Sequence, residues 1–513
     1  MQSTRDQVQA HMFVMGRLTS GMLRGDPDAP ESPQGRTNRG IALGIVLAVL
    51  FSAGAFVFGL LKPGTKDSWK AAGTLVIEKS TGSRYLYLDG RLRPVRNYTS
   101  ARLLAGADMK TATVRSASLK GTPHGAPVGI GGAPDALPPS SALDDGPWQV
   151  CSGTATGFGA GAPTSYAGTT LAVSVANDGK GLATTQGLLV RGPDRATYLV
   201  WRGSKLRLGE RDGATEALGY GSVPPVPVSA AFLNSLPSGP DLAPPDVPGR
   251  GSKGPRLSGK DTRIGEVFEI TVPGSAGRYY LLRREGLTPI TATSAALVLG
   301  DPQTREKVYE GSAAAASLGA DALRGHQAPQ PQGSGEAGAA GALPENPPKA
   351  ATVEQGQTPC ARIEAGGSGT RVSVALVGRS DLGPAAQPPP DGFTPACVPV
   401  GRIVVRPGGG ALVHALGAGG GDVGGTVYLV TDTGMKYRVA SAKAMEALGY
   451  TTSQVQRLPA PLLAMLPTGP DLSPGAASSG NGSTTTTGCE PLKAAKPVRN
   501  VSDGLAKTSA GRP

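Results

Sequence analysis

Two stretches of this sequence repeat each other and decide how it folds. Residues 198–242 read YLVWRGSKLRLGERDGATEALGYGSVPPVPVSAAFLNSLPSGPDL, and residues 428–472 read YLVTDTGMKYRVASAKAMEALGYTTSQVQRLPAPLLAMLPTGPDL. They align without a gap at an offset of 230. They share Tyr-Leu-Val, Glu-Ala-Leu-Gly-Tyr and a final Leu-Pro-[Ser/Thr]-Gly-Pro-Asp-Leu. Self-similarity over this length indicates a chain that is built from repeats.

Each copy predicts the same local structure. The β-rich start is interrupted by Gly or Thr-Gly, which is typical of a hairpin. An Ala/Glu/Leu stretch then predicts a short helix that ends at Gly219 or Gly449. A second apolar helical stretch, at 228–236 or 461–466, leads into the Pro-Gly-Pro-Asp stop.

Two weaker copies share a Tyr-rich strand, a Gly turn, a second strand with proline and a short helix. One begins SRYLYLDGRLRPV at Ser83, and the other begins GRYYLLRREGLTPI at Gly277. The sequence therefore predicts four repeats, at 74–120, 190–247, 264–325 and 424–475.

Repeats this short rarely close a core alone, so they must pack on each other or on intervening chain. Alternating strands at 169–175 (TTLAVSV) and 370–377 (TRVSVALV) supply that chain. They predict one central β domain made of residues 148–189 and 351–423, which the second and third repeats interrupt. The predicted fold class is α+β: one N-terminal transmembrane helix, then a central β domain flanked by four short α/β repeats.

The remaining segments are rich in Pro, Gly and Ala, which predicts linkers. They lie at 121–147 and at 326–350, the second being a flexible linker. Residues 476–513 contain NGSTTTTG and scattered Lys, which predicts a disordered tail.

Residues 41–61 read IALGIVLAVLFSAGAFVFGLL, which contains no charge. A helix of this length spans about 31 Å, which matches the hydrocarbon core of a bilayer. Basic residues stand on both sides, so the positive-inside rule does not orient it. All four cysteines follow the span, which favours an oxidising exterior for the large C-terminal part and a cytoplasmic N-terminus. The expected location is the cell (inner) membrane, with a single pass.

The first forty residues predict a cytoplasmic amphipathic helix followed by a flexible link at 26–40. Five apolar residues recur at helical spacing and could lie on the membrane surface or dock on a partner, and we favour docking. These residues are Val8, Met12, Met15, Leu18 and Met22.

The formal net charge is +12, while aromatic residues make up only 4% of the chain. The positive charge is spread thinly, with no long Lys/Arg run and no interleaved aromatics. Nucleic acid is therefore not an expected partner.

The four cysteines bear on the central domain. Cys151 and Cys360 precede the two matching strands, and a bridge between them would tie the two halves together. Cys397 and Cys489 could form a second bridge, although Cys489 lies in the predicted tail. Four cysteines allow three pairings, so the residues alone leave the connectivity open.

Motifs for catalysis or metal binding are absent from the sequence. There is no HExxH or CxxC, and a Ser/His/Asp triad would have to recruit the isolated His414. Residues 254–262 (GPRLSGKDT) resemble a phosphate-binding loop, but Asp261 replaces the magnesium-binding Ser/Thr. A predicted strand follows where a helix is needed, so this segment is interpreted as a linker. No catalytic residue, metal or cofactor is expected.

Five features together form a familiar pattern. They are the opening MQSTRDQVQAHMFVMGRL, the single span, the KPGTKDSWK that begins at Lys62, residues 83–95 and the LPxGPDL endings. The chain resembles EccB, the single-span core component of the type VII (ESX) secretion system of actinobacteria. The resemblance implies a disulfide in the central domain, for which the matching cysteines are Cys151 and Cys360. It also implies assembly with the motor ATPase EccC, with EccD and EccE, and with other copies of the chain. Some family members are described as ATPases, but the altered 254–262 motif does not support that activity here. Cys397 and the long linkers depart from the family pattern.

The leading prediction is a structural subunit of the type VII secretion membrane complex, which helps assemble the export channel and its extracytoplasmic scaffold. The lipid bilayer and the cell wall are further expected contacts. The alternatives are a membrane-anchored cell-wall-binding protein or hydrolase, or an ATPase.

Overall fold

The structure is a computed structural model. It describes residues 4–25, 33–61, 67–143, 146–159, 162–175, 179–209, 213–271, 277–329, 342–366, 369–389, 392–417 and 421–485. The chain divides into two compact units. One comprises residues 1–71, 76–83 and 111–123, and the other comprises residues 72–75, 84–110 and 124–513.

The first unit contains two long helices, α1 (Thr4–Arg24) and α2 (Pro33–Leu61). Helix α2 begins eight residues before Ile41, so the predicted flexible link at 26–40 is wrong for its second half. Pro33 lacks a backbone N–H and suits the first turn of a helix, where that group has no intrahelical acceptor. Residues 26–32 lie outside the described residues.

The centre of the second unit is a six-stranded sheet built from two distant parts of the chain. Trp148–Gly159 pairs antiparallel with Ala162–Val173 on one side and with Gln357–Gly366 on the other. The central β domain is therefore made of two segments, with two repeats inserted between them, and the predicted fold class is confirmed. In order, the six strands are Arg402–Val405, Ala162–Val173, Trp148–Gly159, Gln357–Gly366, Gly369–Gly378 and Lys180–Gly181.

The second, third and fourth repeats each form a sheet with the same strand order. The third strand pairs with the second, the second with the first, and a fourth strand lies parallel to the first. The strands of the second repeat are Gln186–Arg191, Thr197–Trp201, Ser204–Arg207 and Val226–Pro227. Those of the third are Val267–Ile270, Arg278–Arg283, Gly286–Ile290 and Ala316–Leu318, and those of the fourth are Gly410–Leu416, Asp422–Thr431, Lys436–Val439 and Val455–Pro459.

The first repeat contains the same elements. Its strands Arg84–Leu88 and Arg91–Pro94 form a hairpin, which the helix Tyr98–Ala105 follows. The strands Thr74–Glu78 and Thr111–Val114 complete its elements. The other repeat helices are Ser116–Leu119, Ala214–Ala217, Ala230–Asn234, Ala292–Gly300, Pro302–Lys307, Ala442–Leu448, Ala460–Leu463 and Pro474–Ser479.

The boundary predicted at residue 424 is wrong, because the fourth repeat begins with Gly410–Leu416. That strand pairs with Asp422–Thr431 and Val455–Pro459, although the sequence assigned it to the central domain. Its apolar alternation is the same as that of a central strand, so the pattern alone could not assign it to a sheet.

The gap-free alignment of the second and fourth repeats conceals a shift of one residue. Ser204 pairs with Trp201 across a two-residue turn whose Gly203 has a φ of 75°. In the fourth repeat, the Thr431 N–H donates to the Met435 carbonyl across a three-residue turn that ends at Gly434. The next pair along the hairpin is Val430 with Lys436. Lys205 therefore corresponds to Lys436, at an offset of 231, and a shorter connection to the following helix restores the offset of 230.

The LPxGPDL segments pair with the third strand of their own repeat. The Lys205 N–H donates to the Pro237 carbonyl at 2.9 Å, and the Lys436 N–H donates to the Pro467 carbonyl at 3.0 Å. The first and third repeats have counterparts at Leu92↔His124 and Leu287↔Gln327, which are also parallel bridges. Both counterparts fall inside the predicted linkers, so the start of each linker belongs to a repeat. Main-chain hydrogen bonds hold these segments, and a side-chain pattern does not report such bonds.

The predicted linker at 121–147 is ordered through residue 143. Val128 and Ile130 are fully buried, and the Asn97 side-chain amide donates to the Ile130 carbonyl at 2.7 Å. The first part of the predicted tail packs as well, since Ala477 is fully buried and its carbonyl accepts from the Gly129 N–H. Residues 486–513 lie outside the described residues.

The motif tyrosines hold both predicted linkers. The Tyr450 hydroxyl donates to the Pro138 carbonyl, and the Tyr220 hydroxyl donates to the Pro348 carbonyl, each at 2.7 Å. Burial raises the pKa of Tyr220 to about 12, so its hydroxyl remains a donor throughout the neutral range. The Glu-Ala-Leu-Gly-Tyr motif therefore ends a helix in the second and fourth repeats. Its tyrosine also holds, by a hydrogen bond, the segment that follows the third or the first repeat.

Candidate functional site

The exposed face of α1 is the first candidate site. The five predicted residues Val8, Met12, Met15, Leu18 and Met22 all lie on this helix and are between 51% and 84% exposed. Apolar side chains in a contiguous exposed patch mark a surface that contacts a protein or a membrane.

The apolar surface of α1 is wider than the predicted stripe. Phe13 is 66% exposed and Val14 is 52% exposed, although both lie off the selected helical spacing. The Arg17 guanidinium lies 5.8 Å from the centre of the Phe13 ring. Both residues are apolar, but they do not fall on the helical spacing of three or four residues by which the stripe was predicted.

From Ile41 onward, helix α2 is apolar on all sides. Among the described residues it is the one helix long and apolar enough to cross a membrane, over Thr37–Phe58. Its large side chains, such as Phe51 and Phe56, are exposed, as a surface that faces lipid requires.

The central sheet places two cysteines opposite each other. Cys360 pairs in register with Cys151, and the two form a disulfide that closes a sequence separation of 209 residues. Both residues are buried, on the face of the sheet opposite the Trp148 cluster. Cys397 is also disulfide-bonded, whereas Cys489 lies outside the described residues.

The segment that resembles a phosphate-binding loop is a tight hairpin. The N–H groups of Leu257 and Lys260 donate to each other's carbonyls at 3.0 and 2.9 Å, across a Ser258-Gly259 turn. Both turn residues have positive φ, as a two-residue hairpin turn requires. The Leu257 side chain is buried in the core of the third repeat, so the interpretation of this segment as a linker is wrong.

This hairpin lacks the geometry that cradles a phosphate. Such a loop needs free backbone N–H groups between a buried strand and the start of a helix. Here the N–H groups of Gly254, Leu257 and Lys260 donate to carbonyls of the same hairpin, and the next regular element is the strand Val267–Ile270. The Asp261 carboxylate lies 3.3 Å from the Arg256 guanidinium, in an exposed ion pair.

The other candidate groups for chemistry stand apart. In the part of the chain that the structure describes, no cluster of three His, Cys, Asp or Glu side chains could hold a metal ion. His414 lies on the first strand of the fourth repeat, with its Nε2 atom 2.6 Å from the Gly424 carbonyl.

A cavity of about 520 Å³ lies between the fourth repeat and residues 394–398, and no sequence pattern marks it. Lys436 lines it, and its ammonium donates to the Leu463 carbonyl at the end of the helix Ala460–Leu463. Burial lowers the pKa of Lys436 to about 8. The corresponding Lys205 makes the same bond to the Leu233 carbonyl at 2.7 Å.

A candidate membrane-spanning helix, an exposed apolar helix before it and a disulfide-bonded β domain with repeats define a class: membrane proteins in which a short helical segment precedes a large repeat-bearing domain. The sequence profile described as "Type VII secretion system ESX-1, transport TM domain B" matches residues 1–485. The chain belongs to this family, EccB.

Two relatives illustrate the similarity. The chain is 28% identical over 492 residues to "ESX-3 secretion system ATPase EccB3" of Mycolicibacterium smegmatis, which covers 92% of this chain and 89% of the relative. It is 33% identical over 298 residues to "ESX-1 secretion system ATPase EccB1" of Mycobacterium tuberculosis, which covers 57% of this chain and 60% of the relative.

Two solved structures share the fold. One is described as "Structure of EccB3 dimer from the ESX-3 core complex", with a TM-score of 0.60 and 26% identity, covering 79% of this chain and 99% of that one. The other is the intact ESX-5 inner membrane complex, with a TM-score of 0.59 and 21% identity, covering 93% and 95%. At that identity the second comparison shows the fold alone.

Proposed function

We propose that this chain is a structural subunit of a type VII secretion membrane complex. Helix α2 anchors it in the membrane, and the repeat-bearing domain forms a scaffold that helps assemble the export channel. The observation that carries this proposal is the family match over residues 1–485. The exposed apolar face of α1 supports it, because a subunit needs a surface for its neighbours.

The proposed partners follow the family resemblance: EccC, EccD, EccE and further copies of the chain. Contact between copies is supported by the EccB3 structure, which is described as a dimer and of which this chain covers 99%. Helix α1 is the proposed docking element for the membrane-embedded partners. Its methionines are unbranched and adapt their shape to a groove, which suits a helix that binds other helices.

The proposed orientation places α1 in the cytoplasm and the domain outside. The disulfide between Cys151 and Cys360 supports it, because such bonds persist in an oxidising compartment. Cys397, the third cysteine in the described part of the chain, is also bonded. The cell wall is a further proposed contact of the outer domain.

ATP hydrolysis is not part of this proposal, although the two relatives above carry the word ATPase in their names. Residues 254–262 are the part of this sequence that most resembles a nucleotide site, and they form a bonded hairpin. A cell-wall hydrolase would need paired carboxylates in a cleft, and no observation here favours one.

The docking role of α1 can be tested in the producing cell. Met12→Asp combined with Leu18→Asp places two charges on the apolar face, and purification in mild detergent measures how much EccC and EccD are recovered. We expect recovery to fall about tenfold or more, because each buried charge costs more than 1.4 kcal/mol when it is unpaired.

The control adds one negative charge, where the double variant adds two, at a polar position of the same helix. Gln9→Asp changes an exposed polar position and should leave recovery unchanged. The membrane fraction and the Cys151–Cys360 disulfide should be intact in all variants, which shows that insertion and folding are unaffected. Full recovery with the double variant would refute docking through α1.

A further inference from the structure

The four repeats differ in their net charge. Residues 74–120, the first repeat, contain nine Lys or Arg and three Asp or Glu, which gives a net charge of +6. The net charge is 0 for residues 190–247, −1 for 264–325 and 0 for 410–475. The first repeat therefore carries half of the net charge of +12 on the whole chain, although it contains no long run of basic residues.

The first repeat is also the repeat that follows α2 directly. Trp69 is fully buried, so the folded chain that includes this repeat begins no later than eight residues after Leu61. Eight residues reach at most about 29 Å, and the headgroup layer extends about 5–7 Å beyond the hydrocarbon core. The length of the connection therefore keeps the start of the first repeat close to the membrane that α2 crosses.

Three basic side chains of this repeat lie on two adjoining segments. Lys79, Arg115 and Lys120 are exposed, and all three belong to the compact unit that contains α2. The Lys79 N–H donates to the Val114 carbonyl at 2.8 Å. Lys79 and Arg115 therefore follow directly from two neighbouring strands that end side by side.

A buried carboxylate holds the two segments together. Glu78 accepts hydrogen bonds from the N–H groups and the hydroxyls of Ser80 and Thr81, and from the Ser116 hydroxyl at 2.7 Å. These five bonds fasten the turn after the first strand to the segment after the fourth strand. The basic side chains are thus carried on backbone whose position is fixed, which lowers the entropic cost of binding a ligand.

The three cations have no acidic partner among the described ion pairs. Glu78 is the one carboxylate in residues 76–83 and 111–123, and five neutral donors already bind its oxygens. Exposed positive charges that are held together attract a negatively charged surface, and a basic segment beside a membrane span attracts anionic lipids.

We propose that Lys79, Arg115 and Lys120 bind the phosphate groups of anionic phospholipids in the membrane that α2 crosses. Lipid is the favoured partner because the short connection to α2 keeps the cluster at a high effective concentration beside the headgroups. The contact holds the first repeat against the bilayer and limits the angles at which the repeat-bearing domain leaves it. This inference rests on the membrane anchoring proposed above and is independent of channel assembly.

Amine labelling of the full chain in lipid nanodiscs tests this contact. One set of discs contains phosphatidylcholine alone, and the other contains about one-third phosphatidylglycerol. At about 0.1 M salt, Lys79 and Lys120 should react about fivefold more slowly in the anionic discs, because an ammonium group paired with a phosphate stays protonated. At about 1 M salt, where charges are screened beyond about 3 Å, this difference should disappear.

An internal control and a matched variant make the test specific. Lys253 is exposed and lies outside the first repeat, so its rate should be the same in both kinds of disc. Arg115→Glu should remove most of the difference at Lys79. Arg207→Glu makes the same charge reversal at an exposed arginine of the second repeat, and it should leave that difference unchanged.

Three outcomes would overturn the proposal. Equal rates of Lys79 and Lys120 in the two kinds of disc would do so and would leave the anchoring by α2 intact, since the chain would still be recovered in the discs. Slower labelling in phosphatidylcholine discs that requires added EccC or EccD would show that a protein surface covers the cluster. A chain that does not enter the discs would refute the anchoring itself, and the lipid contact with it.

Discussion

Removal of the central disulfide should destabilise the repeat-bearing domain, and the loss of stability follows from the sequence separation of the two cysteines. The bond between Cys151 and Cys360 closes a separation of 209 residues. In the chain-entropy treatment, a loop of that length corresponds to about 5 kcal/mol of stabilisation through the unfolded state. Unfolding entropy of about 2.1 cal/mol/K per residue, over roughly four hundred residues, converts this to a fall in Tm of about 6 °C.

The assay is thermal unfolding of the full chain in detergent, followed by circular dichroism. Cys151→Ala, Cys360→Ala and the double variant are compared with the unchanged protein. Because either single variant already removes the cross-link, the double variant should unfold within about 1 °C of the single variants. The residual thiol in a single variant is small and buried, so it adds little.

Two results would refute this reasoning. A change in Tm below about 1 °C would mean that the loop closed by the bond is already constrained in the unfolded chain. Additive effects of the two single variants would mean that local packing around each sulfur, and not the cross-link, stabilises the sheet.

Three further predictions concern the repeats. Gly300→Ala should lower the free energy of unfolding by about 1–3 kcal/mol, because the new Cβ would lie 2.2 Å from the Ala217 Cβ. Tyr450→Phe should cost about 1–2 kcal/mol, since it leaves the buried Pro138 carbonyl without its donor. The unchanged protein should gain stability relative to Lys436→Met as the pH rises from 8 to 10.5, because burial lowers the pKa of Lys436 to about 8 from 10.5 and the penalty for its buried charge is lost across that window. Chemical denaturation measures the first two, and thermal unfolding at a series of pH values measures the third.

Each of these has a matched comparison. Gly475→Ala meets no atom within 4 Å and should leave stability unchanged or raise it slightly. Tyr220→Phe removes the equivalent bond to Pro348 and should cost a similar amount, and a cost for Tyr450→Phe alone would contradict the shared role of the motif. For Lys436, parallel pH profiles of the two proteins would show that its amine is not desolvated.

Much of the architecture could be predicted because helices, strands and repeats require regularly spaced apolar residues and recurring turn residues in the sequence. Helix α2 is recognisable because a helix that faces lipid must be apolar on every side. The helix at Ala442–Leu448 ends where Gly449 adopts a φ of 88°, a conformation that glycine reaches without strain. The repeat motifs reappear for the same reason, since each copy needs the same caps and turns.

The sequence by itself determined the span, the helix before it, the four repeats and the two-part central domain. Only the tertiary structure assigned Gly410–Leu416 to its sheet. Strands pair through main-chain hydrogen bonds, and these groups are nearly the same in every residue, so the side-chain pattern does not identify the neighbouring strand. The tertiary structure also showed that Val128 and Ile130 are core residues within a Pro/Gly-rich stretch, held by Asn97 and Tyr450 from distant parts of the chain. Composition reports the flexibility of an isolated segment, whereas order here comes from partners that are far away in sequence and near in space.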